Sequence, residues 1–236
     1  MKFSIASSVL TEFPNLCIGV VAAKNLNNRG EDPEIASLLA SALDSLSERV
    51  NGKEYKQHPH IAVWREAFQQ VNCNPNKFQG SIEALVSRVV KGGRPPSINK
   101  IVDLNNALSL KYLLPMGAHD LDRIQGDLEV RFSRPGDIFT PFGEENAESV
   151  GEGEIVYADG LEVRTRRWIW RQGDHAKITA DSETVFFPID GFSGVTSDAV
   201  LQAREELASI LTNRLGAEVE QHWLDASHQS AVLFAG

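Results

Sequence analysis

The sequence contains few cysteines and no long apolar run. Only Cys17 and Cys73 occur among 236 residues, and no CxxC spacing is present. This argues against a disulfide framework and against a cysteine zinc site. No segment approaches the roughly 20 consecutive apolar residues that a membrane-spanning helix requires, and the opening MKFSIASSVL lacks the apolar core and cleavage site of a signal peptide. We therefore expect a cytoplasmic protein with reduced thiols.

Common catalytic signatures are also missing. There is no G-x-S-x-G nucleophile elbow, and neither cysteine has a credible histidine partner. His58 and His60 form the only close histidine pair, and they lack cysteine or acidic ligands at metal-binding spacing. The sequence therefore predicts no covalent nucleophile, no metal and no cofactor.

Basic residues are outnumbered by acidic ones. The chain has 23 Lys and Arg against 32 Asp and Glu, a formal net charge of −9. Because nucleic-acid binding draws on phosphate neutralisation, this balance argues against a general high-affinity RNA binder. Two local basic groups remain as candidate RNA contacts or as ordinary solvated faces: Lys91, Arg94 and Lys100, and then Arg164, Arg166, Arg167 and Arg171.

Hydrophobic residues make up 42% of the chain, which is ample for a core. Apolar spacing predicts helices from Asp32 to Val50, at 60–71, at 81–90, from Lys100 and from Ser197 to Leu215. Alternation predicts strands at 16–23 and 128–133, a hairpin at 155–167 turning at Asp159-Gly160, and a strand at 185–189 closed by Asp190-Gly191. The second hairpin strand is expected to continue to Gln172, with Trp168 and Trp170 on one face.

Helices at both ends of a strand-rich middle indicate an α+β fold. We expect a single domain over residues 1–236. It would comprise a helix-rich part at 1–97, a central region at 98–192, and a C-terminal helix and strand at 193–236.

The stretch from Lys100 to Gly126, KIVDLNNALSLKYLLPMGAHDLDRIQG, is the first concentration of polar residues next to apolar ones. Its helix carries Asn105 and Asn106, and the turn after it contains Gly117, His119 and Asp120. A polar cluster at a helix end is typical of a functional site, but such residues also bond to their own backbone in turns. Both interpretations remain open.

A second concentration is WRQGDHAKIT, at 170–179. Asp174 and His175 could act as a general base and its orienting carboxylate, although neighbours on a strand point to opposite faces. Turn residues at a strand end are the alternative. The remaining polar or aromatic members of this segment that could contact a substrate are Trp170, Gln172, Gly173 and Thr179.

Three segments, VDLNNALSL, LPMGAHDLDRIQG and LEVRFSRPGDIF, resemble the B3/B4 domain of the phenylalanyl-tRNA synthetase beta subunit, and more closely the freestanding B3/B4 proteins. The resemblance extends from about Pro75 to about Phe192. In the synthetase this domain carries the editing site that removes mischarged tyrosine from the phenylalanine tRNA. The resemblance therefore implies a three-layer fold with a central β-sandwich of unusual topology flanked by helices.

The resemblance also assigns residues. GDHAKITADSETV aligns with a segment in which a Gly-Glu-His triplet supplies the editing glutamate, so Asp174 falls on that glutamate and His175 on the histidine after it. The family's Met-His-Ala-Phe-Asp reads Met116-Gly117-Ala118-His119-Asp120 in this chain. Gly117 thus replaces the editing histidine. His119 either restores an imidazole to the pocket or replaces an aromatic ring in packing, and the space that Gly117 opens favours the pocket.

The catalytic candidates are Asp174, His119 and His175. The substrate-binding candidates are Asn105, Asn106, Gly117, Asp120, Trp170, Gln172, Gly173 and Thr179. The implied reaction is hydrolysis in trans of the ester between an amino acid and the terminal adenosine of a mischarged tRNA. A positioned water, an oxyanion donor and the substrate's ribose hydroxyl can suffice for such an activated ester, with backbone amides near Gly117 or Gly173 as candidate donors.

Two other functions remain open at this stage. One is a noncatalytic tRNA-binding module that uses Arg164, Arg166, Arg167 and Arg171. The other is an amino-acid pocket with no role for RNA, suggested by the acidity and by the Trp168 and Trp170 pair. We expect no aminoacylation, because these 236 residues are too few for the synthetase's catalytic and anticodon-binding modules.

Overall fold

The computed structural model describes residues 1–50 and 52–234, including every side chain in those ranges except 47 and 53. Within them the α-helices are α1 (Ser7–Glu12), α2 (Pro33–Arg49), α3 (Pro59–Gln70), α4 (Ser81–Val90), α5 (Lys100–Tyr112) and α6 (Ser197–Asn213). Two short 3₁₀ helices occupy Gly52–Gln57 and Leu121–Arg123.

The strands of the described residues fall into two sheets. They are β1 (Lys2–Ile5), β2 (Leu16–Lys24), β3 (His119–Asp120), β4 (Leu128–Phe132), β5 (Ile138–Phe139), β6 (Glu148–Ser149), β7 (Ile155–Asp159), β8 (Glu162–Arg166), β9 (Arg171–Gln172), β10 (Val185–Phe192), β11 (Glu218–Leu224) and β12 (Ser230–Val232). An eight-stranded mixed sheet has the order β12-β1-β4-β7-β8-β5-β6, with β9 paired to β8. A four-stranded antiparallel sheet has the order β11-β2-β10-β3.

The two sheets and the helices form three layers. One apolar cluster joins β1, β4 and β7 of the larger sheet to β2 and β10 of the smaller, through residues such as Phe3, Val130 and Phe186. A second cluster packs the opposite face of the smaller sheet, including Phe187, against Leu104 of α5 and other residues of α5 and α6. The fold is therefore α+β, with a β-sandwich covered by helices, as expected.

Alternation along β10 decides which residues enter the sandwich. Val185, Phe187 and Ile189 face the helices, so the alternate residues, from Phe186 to Phe192, face the larger sheet. Every residue of β10 is buried.

Some predicted boundaries are correct and others are wrong. The side chain of Asp32 caps α2 by accepting from the backbone N–H groups of Glu34 and Ile35, as its position predicts. The strand expected to end at Ile189 instead continues to Phe192, because Asp190 and Gly191 pair with β2. The predicted turn fails because a neighbouring strand takes up these backbone groups.

The expected continuous strand from Leu161 to Gln172 is also interrupted. Arg167 and Trp168 both have positive φ angles, of 46° and 64°, which break the strand between β8 and β9. Trp168 is thereby turned into the sandwich core, where it is 1% exposed. Trp170 remains half-buried.

Candidate active site

The loop after α5 runs along the edge of β10. Gly117 N donates to Pro188 O at 3.0 Å, and Asp190 N donates to Pro115 O at 3.1 Å. His119 then pairs with Phe186 in the antiparallel register of β3 and β10. Positions 115, 117 and 119 therefore lie opposite positions 190, 188 and 186.

This register places His119, Gly117 and Asp190 around one cavity of about 80 Å³ between the sheets. Its polar lining is Ser81, His119, Tyr157, Thr165, Gln172 and Asp190. Met116, Trp168, Ile169, Trp170 and Pro188 supply most of the apolar lining. Convergent polar groups in a partly apolar concave site are typical of ligand binding, and this cavity is smaller than the roughly 300–1,000 Å³ of most ligand pockets.

Gly117 keeps the cavity open. A Cβ atom at this position would lie 3.1 Å from Cγ of Pro188 and 3.4 Å from Nε2 of His119. Any larger residue would thus press on the proline or cover the imidazole. The same geometry places His119 Nε2 beside Gly117, at the cavity.

His119 is buried, and its pKa is lowered from 6.5 to about 4. Burial is the main cause, and the positive charge of Arg164 lowers the pKa further, whereas Asp159 raises it. His119 is therefore neutral at pH 7.

Gln172 contacts the imidazole of His119. The Gln172 amide nitrogen donates to Ala118 O at 2.7 Å, which fixes the orientation of the amide. The same nitrogen lies 3.5 Å from Nδ1 of His119. It also lies 3.4 Å from Ala176 O. A donor beside Nδ1 favours the neutral tautomer that carries its proton on Nε2, at the cavity.

Asp190 is the carboxyl group of the cavity, and it is 2% exposed. Its Oδ1 accepts from the Tyr157 hydroxyl at 2.6 Å and from Trp168 Nε1 at 3.3 Å. Burial raises its pKa to about 7, although these two hydrogen bonds oppose the shift. The cavity therefore holds a carboxyl group that titrates near neutral pH beside a histidine that does not.

Asn105, on α5, holds the loop that lines one side of the cavity. Its Nδ2 donates to Met116 O at 3.1 Å, and its Oδ1 is buried without a hydrogen-bond partner. Leu113, with a φ of 54°, ends α5, and Ser109 Oγ bonds to Leu114 O at 2.6 Å. Asn105 thus acts on the loop and does not line the cavity, and Asn106 is half-buried outside it.

Asp174 and His175 lie outside this cavity. The Asp174 carboxylate pairs with Lys177 at 2.8 Å and accepts from Gly143 N at 2.8 Å. The hydrogen bond from Lys177 is the main reason that the pKa of Asp174 is lowered. His175 is exposed and pairs with Glu162. The structure therefore does not bring Asp174 and His119 together.

The other predicted substrate contacts divide in the same way. Gly117, Trp170 and Gln172 line the cavity. Gly173 packs against Phe139, and a Cβ there would lie 3.1 Å from that ring. Asp120 is buried and accepts from Ser182 Oγ at 2.6 Å, while Thr179 belongs to the neighbouring turn and donates its N–H to Ser182 Oγ.

The four arginines predicted to contact RNA are mostly engaged with acidic residues. Arg164 is buried, with 3% exposure, and forms a bidentate ion pair with Asp159. This pair keeps Asp159 inside β7, so the hairpin turns at 160–161, one residue later than predicted. Arg166 and Arg167 both pair with Glu154. Arg171 is half-buried and forms no ion pair within residues 1–50 and 52–234.

A second cavity, of about 470 Å³, also has Trp168 in its lining. It includes Cys73, whose thiol pKa is raised mainly by burial. Its charged members are Glu152, Glu154 and Arg167. Arg167 and Glu154 pair with each other at 2.9 Å, and the guanidinium lies 3.8 Å from the centre of the Phe78 ring.

His58 and His60 have structural partners. His58 Nδ1 accepts from the backbone of His60 at the start of α3, and His60 Nδ1 contacts Tyr112 O at 3.0 Å. Among the residues that the structure describes, no group of three or more His, Cys, Asp or Glu side chains could hold a metal ion. No helix in those ranges is long and apolar enough to cross a membrane.

Sequence reasoning missed Asp190, Tyr157 and Thr165. Asp190 had a usable signal, because it interrupts the apolar run VFFPIDGF at a position of the same parity as Phe186 and Phe192. A charged residue on a doubly buried strand needs a partner or a function. Its neighbour Gly191 was instead taken as the sign of a turn.

Comparison with known proteins places these residues in a recognised domain. A model of the B3/4 domain family matches residues 63–215, which include the whole lining of the smaller cavity. A phenylalanine-tRNA ligase beta subunit from Latilactobacillus sakei subsp. sakei is 27% identical over 169 residues, 70% of this chain and 20% of that protein. The corresponding subunit of Fusobacterium nucleatum subsp. nucleatum is 28% identical over 149 residues, 61% of this chain and 18% of that protein.

Among solved structures, an N-terminal fragment of the phenylalanyl-tRNA synthetase beta-subunit from Pyrococcus horikoshii matches with a TM-score of 0.46 and 10% identity. The match covers 94% of this chain and 53% of that one. The chain spans about a fifth of the length of the two beta subunits. Because the family match covers well over half of its length, the chain belongs to the B3/4 domain family, which relates it to the phenylalanine-tRNA ligase beta subunit.

Proposed function

We propose that the chain is a tRNA-binding, editing-type protein that hydrolyses the ester of a mischarged aminoacyl-tRNA in trans, with the cavity at His119 as its amino-acid site. One observation carries this proposal. A neutral imidazole and an unpaired carboxyl group line a cavity between the sheets of a B3/4 domain, next to a glycine whose lack of a side chain keeps it open.

His119 would act as a hydrogen-bond donor and not as a general base. An imidazole whose pKa is about 4 is a weak proton acceptor at pH 7. Its Nε2–H, held in place through Gln172, could donate to the carbonyl oxygen of the ester and stabilise the negative charge that develops there. A neutral donor also avoids placing a second cation beside Arg164.

The reaction needs no group beyond the substrate and water. Water oxygen attacks the ester carbonyl carbon, and the bond between that carbon and the ribose oxygen breaks. The ribose oxygen leaves with a proton that originates from the water, and the vicinal ribose hydroxyl can relay it. The protein contributes orientation and charge stabilisation, which suffice for an activated ester.

The tRNA backbone would meet the protein near Arg171. This arginine adjoins Trp170 and Gln172 of the cavity wall and has no acidic partner among the described residues. Arg164, Arg166 and Arg167 are less suited to phosphate because each already pairs with a carboxylate.

An amino-acid pocket without a role for RNA is the second candidate. The neutralised arginines and the net charge of −9 favour it. It predicts binding of a free amino acid with no binding of tRNA.

The test is release of labelled amino acid from a panel of correctly and incorrectly charged tRNAs. We expect turnover of at least one mischarged species, a loss of at least tenfold in His119→Phe, and partial retention in His119→Gln, whose amide can still donate. His228→Ala changes an exposed histidine far along the chain and serves as the control. No turnover of any species, with tight binding of a free amino acid, would replace this proposal with the second candidate.

A further inference from the structure

Asp190 occupies a position that ordinary packing does not explain. It lies on β10 between Phe186 and Phe192, on the face that enters the sandwich core. A carboxyl group in such surroundings is costly unless it is paired. Asp190 forms no ion pair in the part of the chain that the structure describes, although the buried Asp159 and Asp137 each have an arginine.

The hydrogen bonds of Asp190 involve one oxygen only. Tyr157 and Trp168 both donate to Oδ1, at 2.6 Å and 3.3 Å. Oδ2 has no hydrogen-bond partner within residues 1–50 and 52–234. Because both donors hold Oδ1 in place, the carboxyl group has a fixed orientation. Above pH 7, where the group is ionised, its second oxygen is available as an acceptor to a group in the cavity.

The size of the cavity limits what can reach that oxygen. A volume of about 80 Å³ corresponds to a few water molecules at about 30 Å³ each. A cavity that holds a benzene ring is about 150 Å³. A phenyl, phenol or indole group is therefore too large, and a side chain of two to four non-hydrogen atoms fits.

From these two limits we propose that Asp190 selects the amino acid: the cavity accepts a small side chain that ends in a hydrogen-bond donor, a hydroxyl or an ammonium group, and rejects apolar and aromatic side chains. The inference rests on the proposed function, because it names the substrate class of the same site. An apolar side chain of equal size would exclude water from Oδ2 and leave this oxygen without a hydrogen-bond partner. Binding of the apolar side chain is therefore disfavoured roughly tenfold or more.

Isosteric pairs of esters test this selection. One tRNA is charged chemically with each member of three pairs: threonine and valine, serine and alanine, and 2,3-diaminopropionate and 2-aminobutyrate. The hydrolysis rate of each ester with the protein is divided by its rate without the protein. We expect the donor-bearing member of at least one pair to be hydrolysed at least tenfold faster than its isostere. Phenylalanyl and tyrosyl esters should be slower than the preferred ester by a similar factor.

Asp190→Asn should remove the preference. Tyr157 and Trp168 require an acceptor, so the amide oxygen takes the place of Oδ1 and the amide nitrogen, a donor, replaces Oδ2. The ratio within the preferred pair should fall to within about threefold of one. Asp122→Asn, an exposed change on the 3₁₀ helix, should leave the ratio unchanged.

The wild-type ratios decide the proposal even if the variant fails to fold. Equal rates within every pair, faster hydrolysis of aromatic esters, or an unchanged ratio in folded Asp190→Asn would each overturn it. Preference for threonine or serine identifies a hydroxyl substrate, and preference for 2,3-diaminopropionate identifies an ammonium substrate.

Absence of turnover on every ester would overturn the proposed function. Selection of the amino-acid side chain by Asp190 would then be tested by binding. Threoninamide and valinamide, serinamide and alaninamide, and the amides of 2,3-diaminopropionate and 2-aminobutyrate are then titrated, with tryptophan fluorescence as the signal because Trp168 and Trp170 line the cavity. Tighter binding of a donor-bearing amide than of its isostere would support selection by Asp190. Equal or absent binding in every pair would refute it.

Discussion

The hydroxyl group of Tyr157 donates a 2.6 Å hydrogen bond to Oδ1 of Asp190 in the interior of the sandwich, joining β7 of the larger sheet to β10 of the smaller. Burial and the neighbouring carboxylate raise the pKa of Tyr157 well above 10, so the phenol remains a donor throughout the working pH range. The link both ties the sheets together and orients the carboxyl group at the cavity. Structure and site therefore depend on the same bond.

The opposite pKa shifts of Asp190 and His119 predict how stability changes with pH. The pKa of Asp190 rises from 3.8 to about 7 on folding, so its contribution is present below pH 4 and is lost as the pH rises through 7. The pKa of His119 falls from 6.5 to about 4, so its contribution is present above pH 6.5 and is lost as the pH falls through 4.

In the wild type these two effects nearly cancel between pH 4 and pH 6.5. Asp190→Asn removes one of them, on the order of 4 kcal/mol, and should leave a protein that gains about 3 kcal/mol from His119 over that interval. Urea unfolding of both proteins at several pH values measures the difference. A gap between variant and wild type that does not change with pH would contradict the shifted pKa of Asp190.

Gly117→Val should reduce ester hydrolysis at least tenfold. The added side chain must displace Pro188 or cover Nε2 of His119, because a Cβ alone would already lie within 3.4 Å of both. Overpacking of this kind costs roughly 1–3 kcal/mol of stability. Gly151→Ala is the matched control, since its nearest neighbour would be 3.9 Å from the new Cβ. Full activity in Gly117→Val would exclude this cavity as the reaction site.

Asp174→Ala tests which site is catalytic. The family resemblance implies Asp174, whereas the structure favours the cavity at His119. Because Asp174 pairs with Lys177 at the surface and lies outside the cavity, we expect hydrolysis to remain within about threefold of the wild type. The loss of stability should be about 1–2 kcal/mol, because the half-buried carboxylate also accepts the Gly143 N–H. Steady-state hydrolysis and thermal unfolding check both values. A large loss of activity in a stable Asp174→Ala protein would return the catalytic role to the 170–179 segment.

Arg164→Ala and Arg171→Ala should have different consequences. Removing Arg164 leaves the buried Asp159 without its cation and should cost about 3–5 kcal/mol of stability. Arg171 has no acidic partner among the described residues, so its loss should change stability by less than about 0.5 kcal/mol.

Binding to tRNA should show the reverse order. Arg171→Ala should weaken binding and lower the dependence of log K on log salt by about one charge, if this residue contacts phosphate. Arg164→Ala should leave that slope unchanged in whatever fraction remains folded. Titrations at several salt concentrations measure it, and an unchanged slope in Arg171→Ala would remove Arg171 from the RNA contact.

The local structure and the family could be predicted from the sequence alone. The apolar stripe and Asp32 cap predict α2, and the spacing in NKIVDLNNALSLKY predicts α5, because these signals depend on residues three or four positions apart. The matching segments around Met116-Gly117-Ala118-His119-Asp120 identified the B3/4 relationship. They also singled out Gly117 and His119, and the polar segment 170–179 singled out Trp170 and Gln172; all four line the cavity.

The tertiary structure decided which polar residues share a site. Asp190 reads as a turn residue in sequence, yet strand pairing on both sides of β10 keeps it extended and directs it into the core. Arg164 reads as a surface cation, yet Asp159 across the hairpin holds it inside. Asp174 lies four residues from the cavity residue Trp170, yet its carboxylate bonds to Gly143 N and Lys177 outside the cavity. Each outcome depends on a partner distant in sequence or on strand register, neither of which local patterns encode.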